Sequence, residues 1–223
     1  MGRIKMDKRS DLKNHVYEVI HTRIIHGIYE PGSMIYEQTL TQELGISRTP
    51  VREALNKIEQ EGFIRIMPKK GVMVKEITVA DMGEIFQVRE ELEPVIVRLA
   101  GPYLSREELL AFKEQFENEP EQWGEMLGAD ELPLDTRFHL YIIENCHNSF
   151  FMDFMKKIFD RNTQLVIFSK QHKLNSYDAR PEHLEIIQHL LEGNYNQASE
   201  VMKRHVIQNR NQLIGRLLHY HIS

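Results

Sequence analysis

Between residues 47 and 74 the hydrophobic period of the chain changes, and that change limits the fold more than any other feature. The segment from Ser47 to Gly62, SRTPVREALNKIEQEG, sets Val51, Leu55 and Ile58 at helical spacing. The next two runs, FIRIM and VMV, alternate as strands do, with Pro-Lys-Lys-Gly between them. Ser47 or Thr49 is placed to cap the helix, Pro50 falls in the first turn where its missing N–H costs no bond, and Gly62 is a natural stop. Upstream, Leu12, Val16, Val19, Ile20, Ile24 and Ile25 mark one helix ended by Gly27. Pro31-Gly32 makes a turn, and Glu37–Leu44 reads as a short helix with Leu40 and Leu44 inward, closed by Gly45. Helix, short helix, turn, helix and hairpin is the order of a winged helix-turn-helix: three helices plus a β-hairpin wing over residues 11–75, behind a flexible basic arm at 1–10.

After a linker at 76–77, residues 78–223 carry helical periodicity alone, which predicts an all-α antiparallel bundle of six to seven helices in a mostly α protein. The expected helices are about Thr78–Leu104, Ser105–Asn118 (Ser105 capping, with Glu108 three residues on), Leu134–His147, Ser149–His172, Pro181–Gly193 and Tyr195–His219. Pro94 is expected to kink or break the first of these, and Pro120–Pro133 reads as irregular or as a short helix. Charge divides with the domains: residues 1–77 hold 13 Lys and Arg against 10 Asp and Glu, the remainder 15 against 23. A slightly basic front suits nucleic acid, and an acidic back keeps non-specific affinity for phosphate low. A single cysteine, Cys146, excludes an intrachain disulfide and fits a reducing cytoplasm. No run approaches the roughly 20 apolar residues of a membrane helix, and the N-terminus has neither the apolar stretch of a secretory signal nor the pattern of a lipid anchor.

The second helix of a helix-turn-helix enters the major groove and its first residues meet base edges. Here those residues are Ser47, Arg48, Thr49, Pro50, Val51 and Arg52. Arg48 and Arg52, four apart, share one face, and a guanidinium can give guanine two parallel hydrogen bonds. Ser47 and Thr49 suit phosphate oxygens, and Lys69 and Lys70 at the hairpin tip can reach the neighbouring backbone or minor groove, where Gly71 allows close approach. Singly, each feature is what a solvated helix face or a polar turn looks like; their order gives them weight. The run from Gly27 to Ile64, with P-G-S at 31–33, E-L-G-I-S-R-T-P-V-R-E-A-L at 43–55 and E-G-F-I at 61–64, followed by Pro68, Gly71 and Val74, resembles the GntR family of bacterial regulators over nearly the whole N-terminal domain. That resemblance implies operator contacts at Arg48, Thr49, Arg52 and the wing around Lys70-Gly71, and a further one at Gln38, a position that is basic in some members.

Further on, Asp135 and His139 lie one helical turn apart, which sets a carboxylate and an imidazole on one face. His183 opens a later helix and His205 lies on the last, so three helices could aim one Asp and three His at one cation, with zinc or nickel suiting the donor set. His26, His147, His172, His189, His219 and His221 are expected to be surface or hydrogen-bonded residues, the usual state of a histidine. The motifs D-x-x-F-H at 135–139, E-H-x-x-I-I at 182–187 and L-x-x-G-x-Y-x-x-A-x-x-x-M-x-x-H at 190–205 resemble the C-terminal ligand domain of the FadR subfamily, called FCD. In its metal-binding members the matching Asp and three His are ligands, which implies Asp135, His139, His183 and His205 here. The segment R-x-x-L-E-P at 89–94 also matches, and implies that Arg89 lines an effector cavity where a guanidinium can grip a carboxylate.

The expected function is a sequence-specific transcriptional regulator, a repressor rather than an enzyme. It acts as a homodimer on palindromic operator DNA and is controlled by a small carboxylate effector at a divalent metal site. Two other readings use the same Asp/His set: a metal-dependent hydrolase or isomerase, and a purely structural metal. The chain has no HExxH, no paired-carboxylate motif and no nucleophile elbow, and Glu182 and Glu185 flank a ligand position but would have to turn inward to serve as acid or base.

Overall fold

The computed structural model describes residues 8–118, 132–172 and 177–220, in two compact units, Met1–Ile77 and Thr78–Ser223. Most of the N-terminal arm and nearly all of the Pro120–Pro133 stretch lie outside the described residues.

In the first unit, helices α1 (Lys8–Ile25), α2 (Glu37–Leu44) and α3 (Arg48–Gln60) pack with strands β1 (Met34–Ile35), β2 (Ile64–Met67) and β3 (Gly71–Val74). Val16, Ile20 and Ile24 of α1, Leu40 of α2, and Val51, Leu55 and Ile58 of α3 close on Ile64 and Val72 of the sheet in one apolar core. Leu12, at the same helical spacing, lies exposed instead. Gly45 ends α2 in the left-handed conformation, φ +65°, where its N–H reaches the Thr41 carbonyl. Ser47 holds the N-cap position of α3 in extended backbone, but its hydroxyl makes no capping bond, and Thr49 already lies inside the first turn.

The expected hairpin is present, with Ile64 opposite Val74 and Met67 opposite Gly71. It gains a third strand that the sequence pattern did not suggest: β1 pairs antiparallel with β3, giving the order β1-β3-β2. Two residues are too few to display alternation. The strand exists because the turn after Pro31 brings Gly32 N–H to the Val74 carbonyl (2.9 Å) and Val74 N–H to the Ser33 carbonyl (3.0 Å), satisfying an edge left open by a two-stranded wing. At the wing tip the Lys70 N–H returns to the Met67 carbonyl at 3.0 Å, across Pro68 and a Lys69 of φ +64°. This places a lysine where a type II turn favours glycine.

The second unit contains α4 (Val79–Ala100), a 3-10 turn (Gly101–Tyr103), α5 (Arg106–Asn118), α6 (Leu134–Glu144), α7 (Ser149–Gln171), α8 (Arg180–Leu191) and α9 (Tyr195–Tyr220). Thr78 and Asp81 form a reciprocal capping box at the start of α4. Pro94 does not break this helix, which runs on to Ala100. Tertiary contacts fix the helix around it: the Pro94 carbonyl accepts from Ser199 Oγ of α9 at 2.8 Å, and Arg98 of the next turn donates to the same hydroxyl at 2.6 Å. The main packing partner of α4 is α9, with α6 and α7 also against it, while α8 lies on α9 and α5.

Gly71, at the start of β3, has φ +119°, and a Cβ there would lie 3.0 Å from Met34 Cε, 3.1 Å from Tyr36 Cδ1 and 3.2 Å from the Ile35 carbonyl oxygen. Gly71→Ala is therefore expected to destabilise the winged unit by on the order of 1–3 kcal/mol, read as a lower urea midpoint of the full chain. An unchanged midpoint would contradict this reading of the wing.

Candidate functional site

Two sets of residues merit attention, one in each unit. In the first, Ser47, Arg48 and Thr49 are exposed at the N-terminal end of α3, and Gln38, Arg52, Lys69 and Lys70 are exposed as well. Gln38, Arg52, Lys69 and Gly71 line one groove of about 830 Å³ between α2, α3 and the wing. Arg52 is not a free cation: its Nε donates to Glu37 Oε2 at 2.8 Å, while its side chain remains 62% exposed. A guanidinium held by Nε still presents its two terminal nitrogens, the pair that guanine recognition uses.

The second set is built by three helices. Asp135 and His139 come from successive turns of α6, His183 from the first turn of α8, and His205 from α9. His139, His183 and His205 are buried, and the Asp135 side chain is 23% exposed. Their donor atoms converge. His139 Nε2 lies 3.2 Å from His205 Nε2 and 3.4 Å from His183 Nε2. Asp135 Oδ1 lies 3.2 Å from His183 Nε2, 3.8 Å from His139 Nε2 and 4.0 Å from His205 Nε2. A tetrahedral ion bound at about 2.0–2.1 Å to nitrogen needs ligand edges of about 3.3 Å, so a first-row divalent cation fits this cage with small adjustments. Among the described residues this is the group of His, Cys, Asp and Glu arranged to hold an ion, and none of the described histidines set aside above joins it.

The protonation states suit the same role. Burial pushes the His183 and His205 pKa values down, in His205 well below the ordinary range with help from the neighbouring imidazoles, so both rings are neutral and ligand-competent. Burial opposes ionisation of Asp135, but the His183 hydrogen bond and the three imidazoles outweigh it and hold the carboxyl well below its usual range. Phe116 stacks on His183 at 4.5 Å, and Phe138 meets the same ring edge-on at 5.7 Å, so the cage has apolar walls.

Behind the cage lies a layer in which the sequence singled out Arg89, as an effector contact, but neither Glu93 nor Asn162. Glu93, 2% exposed, is hydrogen-bonded to His139 Nδ1 through one carboxylate oxygen and accepts from Arg89 Nε at 2.5 Å through the other. Arg89, wholly buried, also donates from Nη1 to Asn162 Oδ1 of α7 at 2.7 Å. Burial works against ionising Glu93, but Arg89 first and His139 second lower its pKa, so it is a carboxylate. Among the described residues, Arg89 Nη2 and Asn162 Nδ2 are buried with no hydrogen-bond partner. The missed signal was an Arg–Glu pair at i and i+4 on an otherwise apolar helix face, next to Pro94. Asn162 carried none beyond being an isolated amide near an apolar run.

The sequence and fold match known proteins over both units. The family of bacterial regulatory proteins, gntR family, matches residues 12–74, and the FCD domain matches residues 84–208. The HTH-type transcriptional regulator YdhC of Bacillus subtilis is 25% identical, over 98% of this chain and 96% of its own length. The Nta operon transcriptional regulator of Aminobacter aminovorans is 26% identical, over 83% of this chain and 87% of its own. Among solved structures, E. coli McbR/YncC superposes with a TM-score of 0.74 at 21% identity, covering 91% of this chain and 96% of that one. A GntR regulator from Rhodococcus sp. RHA1 gives 0.75 at 18% identity, covering 91% and 97%. These two show the shared fold.

For the residues expected to contact DNA, Arg52→Ala is expected to cost about 1–3 kcal/mol on a specific operator and to relax base preference there. Lys69→Ala should weaken operator and random DNA alike and flatten the dependence on salt. Unchanged operator affinity in Arg52→Ala, measured by fluorescence anisotropy, would remove α3 from the recognition role.

Proposed function

The chain belongs to the gntR family of bacterial regulatory proteins and carries an FCD domain, and from that footing we propose a repressor whose grip on operator DNA is set by a small carboxylate bound at a metal centre in the second unit. It is a DNA-binding transcriptional regulator and not an enzyme: the relatives it matches are transcriptional regulators, so the hydrolase or isomerase reading finds no support. Among the described residues no helix is long and apolar enough to cross a membrane. A cytoplasmic homodimer, one winged unit per half of a palindromic operator, is the assembly this function calls for.

The observation that carries the sensing part of the proposal is the convergence of Asp135 Oδ1 with the Nε2 atoms of His139, His183 and His205 inside apolar walls. These four residues would hold zinc or nickel, and such an ion, when bound, would admit carboxylate oxygens by expanding beyond these four ligands to five or six coordination. Arg89 and Asn162 supply the rest of the recognition. Among the described residues Arg89 Nη2 and Asn162 Nδ2 are buried donors with no acceptor, and a buried donor left unpaired costs about 1–3 kcal/mol. A ligand oxygen that reached either donor would relieve it, and a carboxylate is the acceptor that a guanidinium bonds most strongly. Effector binding regulates only through differential affinity for the DNA-competent and DNA-incompetent states.

The test compares operator binding with and without each member of a panel of dicarboxylates and sugar acids. Three samples are needed: wild type, chelator-treated wild type and His183→Ala. Wild type should respond to at least one acid. The other two should bind operator but ignore that acid, because the winged unit folds around its own core. An equal response in all three would make the ion structural or irrelevant to sensing.

A further inference from the structure

A neutral imidazole carries one proton, and the nitrogen that offers its lone pair to a cation must be the other one. His139 turns Nε2 toward the cage and Nδ1 toward Glu93 Oε2. Its ligand role therefore requires the proton on Nδ1. The surrounding hydrogen bonds give that requirement a direction. Arg89 is donor-only and occupies Glu93 Oε1 with Nε and Asn162 Oδ1 with Nη1. Glu93, anchored on one side by a group that cannot accept, presents a pure acceptor to His139 on the other. The chain of bonds is closed to water, with Arg89, Glu93 and His139 exposed by 0%, 2% and 1%.

We propose that Arg89 and Glu93 form a tautomer lock for the cage: they are positioning residues that fix the His139 proton on Nδ1 and so keep Nε2 open to a divalent cation. The inference rests on the metal reading of the cage, but the proton position can be measured without metal. It goes beyond a general need for a buried ion pair, because it makes the polarity of the chain, not only its presence, the quantity that matters. Glu93→Gln keeps the shape and reverses the polarity. The amide has one acceptor and one donor end, and Arg89 claims the acceptor. The amide N–H then faces His139, Nδ1 must accept, and the proton moves to Nε2, where it points into the cage. Removing the cation as well, in Arg89→Met/Glu93→Gln, frees the amide to turn its oxygen to His139 and restores the original tautomer.

The experiment has two readouts. Long-range proton–nitrogen correlation spectra of metal-free, nitrogen-15-histidine-labelled full chain should show His139 protonated at Nδ1 in wild type. They should show it protonated at Nε2 in Glu93→Gln, and at Nδ1 again in the double variant. Titration with cobalt(II), followed by its visible absorption and by zinc competition, should show Glu93→Gln weaker by about 10–100-fold, with most of that loss recovered in the double variant. A wild-type His139 protonated at Nε2, or on both nitrogens, overturns the lock, and this result needs no variant to fold. So does a Glu93→Gln chain with wild-type tautomer and wild-type cobalt affinity. If wild type shows Nδ1–H but takes up no cobalt or zinc, the lock stands as a fact about His139 and the metal reading is what fails.

Discussion

Three imidazoles, two carboxylates and a guanidinium share the interior of the second unit, and the packing of five helices answers to them. Taking an ion out of water costs several kcal/mol even after relaxation, so such groups persist inside a fold only when each is paired. Here the pairing is distributed: Arg89 on Glu93, Glu93 on His139, and Asp135 among three rings. The α4·α7 contact carries the Arg89–Asn162 bond, the α4·α6 contact carries Glu93–His139, and α8 and α9 each deliver one ring. Deleting one partner would strand a buried charge, a loss of about 3–5 kcal/mol. An apolar core of the same volume would hold these helices as well or better. The polar centre is therefore explained by what it can bind.

The first unit follows the opposite rule. Its core is apolar, from Val16 and Ile20 through Leu55 to Val72, and its polar side chains sit outside, where Arg48, Arg52, Lys69 and Lys70 remain exposed. The exposed ion pair of Arg52 with Glu37 is worth little to stability. Its consequence is orientation, since it anchors the inner nitrogen of a guanidinium whose outer pair stays accessible. One unit thus spends its sequence on a rigid apolar frame that displays charge, the other on a frame that encloses it.

Much of this was legible in the sequence because periodicity and punctuation are local. Helices α2 and α3, the hairpin and the helices of the second unit follow from apolar spacing and from Gly45, Gly62 and Pro31-Gly32. The cage was legible through the one-turn spacing of Asp135 and His139 together with the motifs that resemble the FCD domain. What escaped depends on tertiary contact. Strand β1 is two residues long and is defined by its partner β3. Helix α4 runs on through Pro94, where Ser199, over a hundred positions later, bonds the Pro94 carbonyl. Glu93 stood inside a segment already singled out, yet its role depends on which way His139 turns, and no spacing rule reports that.

The most direct test of the central claim is anomalous scattering from crystals grown with zinc, collected on both sides of the zinc absorption edge. The account predicts one strong peak per chain, bounded by Asp135 Oδ1 and the Nε2 atoms of His139, His183 and His205, with His139 Nδ1 still on Glu93. A peak at any other place, or none at that point with the four side chains ordered, would contradict it.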